Sequence, residues 1–289
     1  MNSRSRVALV TYRGLPGLNA DDQRAASALE NLGTGVDAVC WDDPTADWSA
    51  YSAVVLRSTW DYHLRVAEFH AWIDRMEALG VRLWNPPAIL RWNTDKRYLA
   101  RLSHPTLNPP PTEILQRGSI VDLTALLDAR GWDEAVIKPA ISADGFSTER
   151  TSRAQAESDQ PVLEAMLARA DVVMQKLVPE IRTNGEISLM FFGGAFSHAV
   201  SKRPKAGEFR VQERLGGIIV RTDPPRALID DARDLLETWA PGCLYARVDV
   251  VKTGERFVLM EVELAEPSLY LEHDPPSALA FARAIQRIA

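Results

Sequence analysis

The sequence predicts an α/β protein whose amino-terminal half is an open parallel sheet and whose carboxyl-terminal half is α+β. Three observations carry that expectation. Short apolar runs alternate with helical patterns over residues 1–93, as in sheets covered by helices. The proline cluster NPPPTEIL then marks a stiff, extended connection. Beyond residue 179 strands come in adjacent pairs that turn at GG and at KTGER.

Taken in order, VALVTY, VDAVCW, SAVVLRST and VRLWN read as strands, with helices over DDQRAASALENLG and residues 66–79 between them. This is the first lobe, residues 1–93. Ligands of such sheets meet the carboxyl ends of the strands, which points to TYRG and to RSTWDY. Arg57 in the second of these either holds a substrate carboxylate or sits in a surface ion pair. One helix, ILRWNTDKRYLARLS, leads into a second lobe, residues 94–178. Here come a helix near 120–129, the strand EAVIKPA, the small-residue loop ISADGFSTERTS, a helix near 162–169 and the strand DVVMQKLV. The third lobe, residues 179–289, pairs GEISLMFF with AFSHAVSKR and LYARVDVV with FVLMEVEL, under helices near 225–239 and 277–288.

At 289 residues and 46% hydrophobic composition, the chain buries extended cores. A net charge of -6 argues against wholesale binding to nucleic acid or an anionic membrane, and so toward a small substrate. Cys40 and Cys243 fall in no CxxC spacing, so they read as small core residues rather than a disulfide framework or zinc site. No apolar run approaches the roughly 18 residues that span a bilayer, and the start MNSRSRVALV shows no signal-peptide pattern. A cytoplasmic protein is expected.

Two constellations carry chemistry. Lys138 ends the apolar strand AVIK, where a buried ammonium needs an anionic partner. The loop that follows, with Ser142 and Gly145, offers backbone N–H groups to a phosphate chain, although GxxxxGK[ST] and GxGxxG are both absent. The second constellation is the hairpin. Strand alternation puts Arg247 and Asp249 on one face and Glu261 and Glu263 on one face. A five-residue loop over 253–257 would set Asp249 opposite Glu261 and Arg247 opposite Glu263. Three carboxylates there form a hard-cation site that suits magnesium, whereas an ion-pair ladder leaves Asp249 facing Glu261 uncompensated. His198 reads as a core or edge histidine, and the Met190, Phe191, Phe192 run as core.

In this order and spacing, Lys96 in NTDKRYL, Lys138 in VIKPAISADG, the hinge strand QKLV, Glu186 in NGEISL, RVD and EVE resemble the ATP-grasp ligases. The resemblance implies an ATP-grasp architecture: an amino-terminal open parallel sheet, a small lid lobe and a carboxyl-terminal antiparallel lobe. It further implies that Lys96 and Lys138 contact ATP phosphates, and that the hinge from Gln175 through Lys176 to Val178 reads the adenine edge by its backbone. Glu186 would hold the ribose. Asp249, Glu261 and Glu263 would bind one or two magnesium ions, with manganese as a substitute. Many members carry Asn where this chain has Glu263. Arg247 would stabilise the oxyanion of the tetrahedral intermediate, while Glu266 would face substrate or orient its loop.

The stretch SKRPKAGEFRVQERLGG is similar to the glutathione-synthetase-like branch, and it makes Lys202 and Arg210 catalytic cations and Arg203 a substrate contact. RSTWDY, NTDKRYL, GEISL, FRVQ and ELAEPSLYL resemble the O-ureido-serine cyclo-ligase branch of cycloserine biosynthesis. The implied activity is ATP-dependent carboxylate–amine ligation through an acyl phosphate on a small amino-acid-like substrate. Ring closure within one molecule is one form of it. A kinase that stops at a phosphorylated product, or a non-catalytic ATP-binding module, are the alternatives. Its partners would be a small carboxylate and an amine, with no nucleic acid or membrane, and a homodimer or homotetramer is compatible with that reading.

Overall fold

A computed structural model describes residues 5–143, 145–205 and 216–289, and these build three sheets. In the first, β1 (Arg6–Thr11), β2 (Gly35–Cys40), β3 (Ala53–Leu56) and β4 (Leu83–Trp84) run parallel in the order β2-β1-β3-β4. The central strands β1 and β3 are buried on both faces, hence their unbroken apolar runs. Helix α1 (Ala20–Asn31) starts at Asn19, whose side chain accepts from the Asp22 N–H at 2.8 Å. Helix α2 (Val66–Ala78) lays Phe69, Trp72, Ile73 and Met76 on Val54 and Leu56.

The single helix expected at 89–103 is two pieces, α3 (Pro87–Asn93) and a turn of 3-10 helix over Lys96–Ala100. Asp95 caps that turn, its carboxylate accepting from the Arg97 N–H at 3.0 Å. The second sheet is antiparallel: β5 (Thr112–Leu115), β6 (Glu134–Pro139), β7 (Glu149–Ser152) and β8 (Val172–Lys176), in the order β5-β8-β6-β7. Helices α4 (Leu123–Arg130) and α5 (Ala156–Leu167) cover it, Leu127 and Leu163 packing on Ile137 and Met174. The tail of the proline cluster is the edge strand β5 rather than a bare connection. Helix α5 also begins six residues earlier than Pro161 and Val162 suggest, with Pro161 inside it.

After the four-residue helix α6 (Ile181–Asn184), the third sheet holds β9 (Glu186–Phe192), β10 (Ala195–Arg203), β11 (Ile218–Thr222), β12 (Tyr245–Thr253) and β13 (Arg256–Glu263). Their order is β11-β10-β9-β12-β13. Helix α7 (Arg226–Trp239) covers one face through Leu228, Ala232 and Leu235. On the other face α8 (Pro276–Gln286) and the first sheet share a core in which Val7, Leu9, Met190, Phe192, Tyr245 and Phe281 meet. No described helix is long and apolar enough to cross a membrane.

The β12–β13 hairpin decides where the carboxylates go. Its turn is two residues, Gly254 and Glu255, not five, with Thr253 paired to Arg256. Gly254 has φ 59°, as the first central position of a type II′ turn requires. Continued without interruption, that register would pair Asp249 with Met260 and send Glu261 and Glu263 to the opposite face. A bulge between Asp249 and Val250 inserts one residue on β13, so Asp249 pairs with Glu261 and Arg247 with Glu263. Leu259 stays buried in the core while Met260 and Glu261, neighbours in sequence, both line the cavity described below.

Candidate active site

A cavity of about 390 Å³ opens where the second and third sheets face each other, with Trp60 and Tyr62 of the first lobe at its rim. Lys96 enters from the connecting turn, and Lys138, Ser142 and Gly145 enter from the end of β6 and the loop beyond. The end of β8 contributes Gln175 and Lys176, and the segment just beyond it Val178. From the third sheet come Glu186, Lys202, Arg247, Asp249, Glu261 and Glu263, followed by Glu266 from the next loop.

The oxygen ligands that Asp249, Glu261 and Glu263 offer lie within 4.8 Å of one another. Each carboxylate is paired with cations. Arg247 grips Asp249 at 2.9 Å and also Glu263, and the Ser188 hydroxyl donates to Asp249. Lys202 bonds Glu186 and lies 3.6 Å from Asp249. Lys96 bonds Glu261, with Lys138 at 3.8 Å from the same carboxylate.

The balance of burial and charge splits these acids. Burial opposes ionisation of Glu261, but Lys96 and then Lys138 outweigh it and hold the carboxyl well below the usual range. Burial also works against Asp249, which Arg247 and Lys202 keep low. Glu263 is pushed up to about 7, first by burial and then, against Arg247, by Glu261 and Asp249. Burial raises Glu266 to about 8, and the neighbouring Glu263 adds to it. Burial raises Glu186 against the pull of Lys202, and it lowers the Lys138 ammonium. The three converging carboxylates Asp249, Glu261 and Glu263 offer oxygen ligands at close range, and a hard divalent cation fits that donor set.

Strand β13 is an edge, yet its backbone is not left open. The Asn93 amide donates to Val262 O at 2.7 Å and accepts from Leu264 N–H at 2.7 Å, as a neighbouring strand would. The Tyr98 hydroxyl donates to Val262 O at 2.9 Å and accepts from Val262 N–H at 3.0 Å. Lys96 lies between these two anchors in sequence, which fixes it over Glu261. This is why the helix breaks where it does.

At the other end of the cavity Val136, Leu177, Val178, Ile181 and Met260 form an apolar slot. The Lys176 N–H is taken by Pro111 O at 3.0 Å and the Leu177 N–H by Glu134 O at 3.1 Å. The Val178 N–H has no acceptor among the described residues. Glu186 begins β9 directly after Gly185, whose φ is 71° and whose added Cβ would lie 2.4 Å from Lys202 O. Only glycine allows that approach, which seats Glu186 beside Lys202.

Two sequence expectations, Arg57 and Arg203, fall elsewhere. Arg57 does not reach the cavity: it is 1% exposed, donates to Asp22 at 2.8 Å and to Pro267 O at 2.7 Å, and lies over the Tyr245 ring. It stands at the carboxyl end of β3 as anticipated, but α1 and the loop after β13 close over it. Arg203 is exposed and absent from the cavity wall, since it follows Lys202 on a strand and therefore faces the other way. Arg210 lies outside the described residues. His198 is a core histidine outside the cavity wall, as expected, and bonds Leu269 O at 2.9 Å.

Reasoning from the sequence passed over Trp60, Tyr62, Asn93, Ser188 and Tyr270. Trp60 and Tyr62 are the fourth and sixth residues of RSTWDY, the segment that its strand end singles out, so the signal is present there and points to the wrong member, Arg57. Tyr270 has φ 52° and brings its ring 5.7 Å from the Arg247 guanidinium and 5.9 Å from Lys202 Nζ. Nothing in the local pattern marks that conformation.

Residues 7–85 match the family model of the D-cycloserine synthetase amino-terminal domain. The cycloserine biosynthesis protein DcsG of Streptomyces lavendulae is 31% identical over 300 aligned residues, covering 96% of this chain and 97% of that protein. The crystal structure of D-cycloserine synthetase DcsG superposes with a TM-score of 0.85 at 30% identity, over 99% of this chain and all (100%) of that one. The ATP-grasp ligase PsnB, solved with a precursor variant, Mg and ADP, superposes with a TM-score of 0.68 at 14% identity over the full length (100%) of both chains, a likeness of fold.

Proposed function

The chain belongs to the ATP-grasp ligase family, and from that premise we propose that it joins a small amino-acid-like carboxylate to an amine through an acyl phosphate. Ring closure within a single substrate is the form that similarity to the cycloserine relative favours. The observation that carries this reading is the convergence of four cations, Lys96, Lys138, Lys202 and Arg247, with the triad Asp249, Glu261 and Glu263 in one cavity.

In the proposed reaction a substrate carboxylate oxygen bonds to the γ-phosphorus of ATP as the bridging oxygen leaves with ADP. The amine nitrogen then attacks the acyl carbon, phosphate departs with its bonding oxygen, and the nitrogen gives up a proton. Phosphoryl transfer of this kind depends on positioning and charge stabilisation. Lys96 and Lys138 turn from Glu261 to the triphosphate, with Ser142 and Gly145 covering it. The Lys176 carbonyl and Val178 N–H meet the adenine edge in the apolar slot, and Glu186 meets the ribose. Arg247 holds the oxyanion, and Lys202, with Arg210 from outside the described residues, neutralises the transferred phosphoryl. Glu266 faces the substrate. Bound magnesium, one ion or two, or manganese in its place, would be held by Asp249, Glu261 and Glu263 and would supply neutralisation of the triphosphate charge.

An ADP-release screen over amino acids, dipeptides and O-ureido-serine, with the product weighed by mass spectrometry, tests this. A new C–N bond formed with one ADP is expected. A phosphorylated end product would make the protein a kinase, and ATP binding without substrate-dependent ADP release would make it a binding module.

A further inference from the structure

Six consecutive carbonyls, those of residues 264–269, each lie within hydrogen-bond distance of a different side-chain donor. Asn85 Nδ2 donates to Leu264 O at 2.6 Å and Trp60 Nε1 to Glu266 O at 3.2 Å, while the one proton of the Tyr245 hydroxyl is shared between Ala265 O and Leu56 O, each at 2.8 Å. Arg57 Nη2 donates to Pro267 O at 2.7 Å, Arg247 Nη1 to Ser268 O at 3.2 Å and His198 Nε2 to Leu269 O at 2.9 Å. A carbonyl only accepts, so His198 carries its proton on Nε2. The segment is neither helix nor strand, and these side chains do for it what a ladder does for a strand. Its alternate residues Glu266, Ser268 and Tyr270 line the cavity, while Ala265, Pro267 and Leu269 are buried. None of the six donors belongs to the second sheet or the hinge that forms the apolar slot.

We propose that Trp60 and Arg57 are positioning residues for the acyl substrate, acting through the backbone of this wall to set Glu266, Ser268 and Tyr270 while leaving the nucleotide half untouched. The assignment rests on the ligase reading above. Arg57 then serves the substrate at one remove: Asp22, held on α1, aims its guanidinium at Pro267 O rather than into the cavity. A loop with a side-chain donor at each carbonyl resists the small displacements that cost a reaction its alignment.

Two conservative variants separate positioning from folding. Trp60→Phe keeps a ring and removes one N–H, and Arg57→Lys keeps the charge opposite Asp22 and removes the fork. Both are compared with wild type by KM for the best substrate of the ADP-release screen, KM for ATP, the calorimetric dissociation constant of magnesium–ATP, and amide hydrogen exchange over 264–271. The loss of one such bond should raise KM for the amino-acid substrate about tenfold, with both nucleotide constants changed by less than about twofold. Exchange should quicken over 264–271 and not at the hinge. Equal weakening of nucleotide binding, or unchanged exchange in both variants, overturns the proposal. If no substrate releases ADP even from wild type, the ligase reading has failed on its own, and exchange and nucleotide binding still decide whether these residues hold the wall.

Discussion

Lys138 Nζ lies 3.8 Å from the Glu261 carboxylate that Lys96 already bonds, so two lysines from different parts of the chain converge on one acid of the third sheet. Burial is the largest influence and counts against the Lys138 charge, as the neighbouring Lys96 does, while Glu261, and after it Glu186 and Glu263, support it. A triphosphate offers both lysines a stronger anion and leaves Glu261 to a cation. Lys138→Ala and Lys96→Ala should each weaken ATP binding about tenfold, the worth of a charge-assisted contact. Titration calorimetry reads it, and unchanged affinity in both would leave the lysines a purely structural role.

The triad makes a second prediction. Asp249→Asn and Glu261→Gln should each lower magnesium-dependent turnover at least about a hundredfold, because each removes a charged oxygen where the triphosphate must be aligned. The fold should persist by circular dichroism, since the Ser188 hydroxyl still has an acceptor at position 249 and Tyr98 and Asn93 still hold β13. Full activity in either variant would sink the metal assignment.

The triad was legible because strand alternation is a strict rule: Glu261 and Glu263 had to share a face, as did Arg247 and Asp249. Which faces coincide was not, because a one-residue bulge at Met260 leaves no mark in composition. Arg57 and Arg203 show the same limit. A strand end can be placed from its apolar run, but whether Arg57 beyond it meets ligand or is held by Asp22 and Pro267 depends on elements far off in the chain, and which of Lys202 and Arg203 faces the cavity depends on how β10 is set in its sheet. Strands β5, β7 and β11 went unread for a related reason, since short edge strands such as TEIL and ERTS owe their form to a neighbour rather than to their own pattern.

Asp21 gives a prediction about pH. Burial first, and the adjacent Asp22 second, push its carboxyl up from 3.8 to about 6. The folded state therefore binds that proton more tightly than the unfolded chain. The associated stability is complete below about pH 4 and is lost as pH rises through about 6, a difference of roughly 3 kcal/mol at most. Asp21→Asn keeps an acceptor for the Glu272 N–H at 3.2 Å and removes the charge. It should therefore stabilise the protein against urea at pH 8 and leave it unchanged at pH 4. Equal effects at the two pH values would mean that Asp21 does not titrate as its burial requires.

The last prediction concerns the loop over the phosphates. Ile141 and Ala143 at its start are packed into the core under the first sheet, and the Phe146 ring at its tip lies 5.0 Å from His63 of the first lobe. The remainder has thin support: Phe146 is 49% exposed, and Ser147 has φ 50°, a conformation that non-glycine residues rarely hold. Residues 145–148, ahead of β7, should therefore exchange amide protons quickly without nucleotide and slowly with magnesium–ATP, together with the hinge at 175–178. Phe146→Ala removes the contact that docks the tip, so it should quicken exchange in the free protein while leaving most of the bound-state protection, which phosphates supply. Protection confined instead to the first lobe, near Tyr12 and Arg57, would put the nucleotide on the parallel sheet and leave the cavity between the second and third sheets without its assigned ligand.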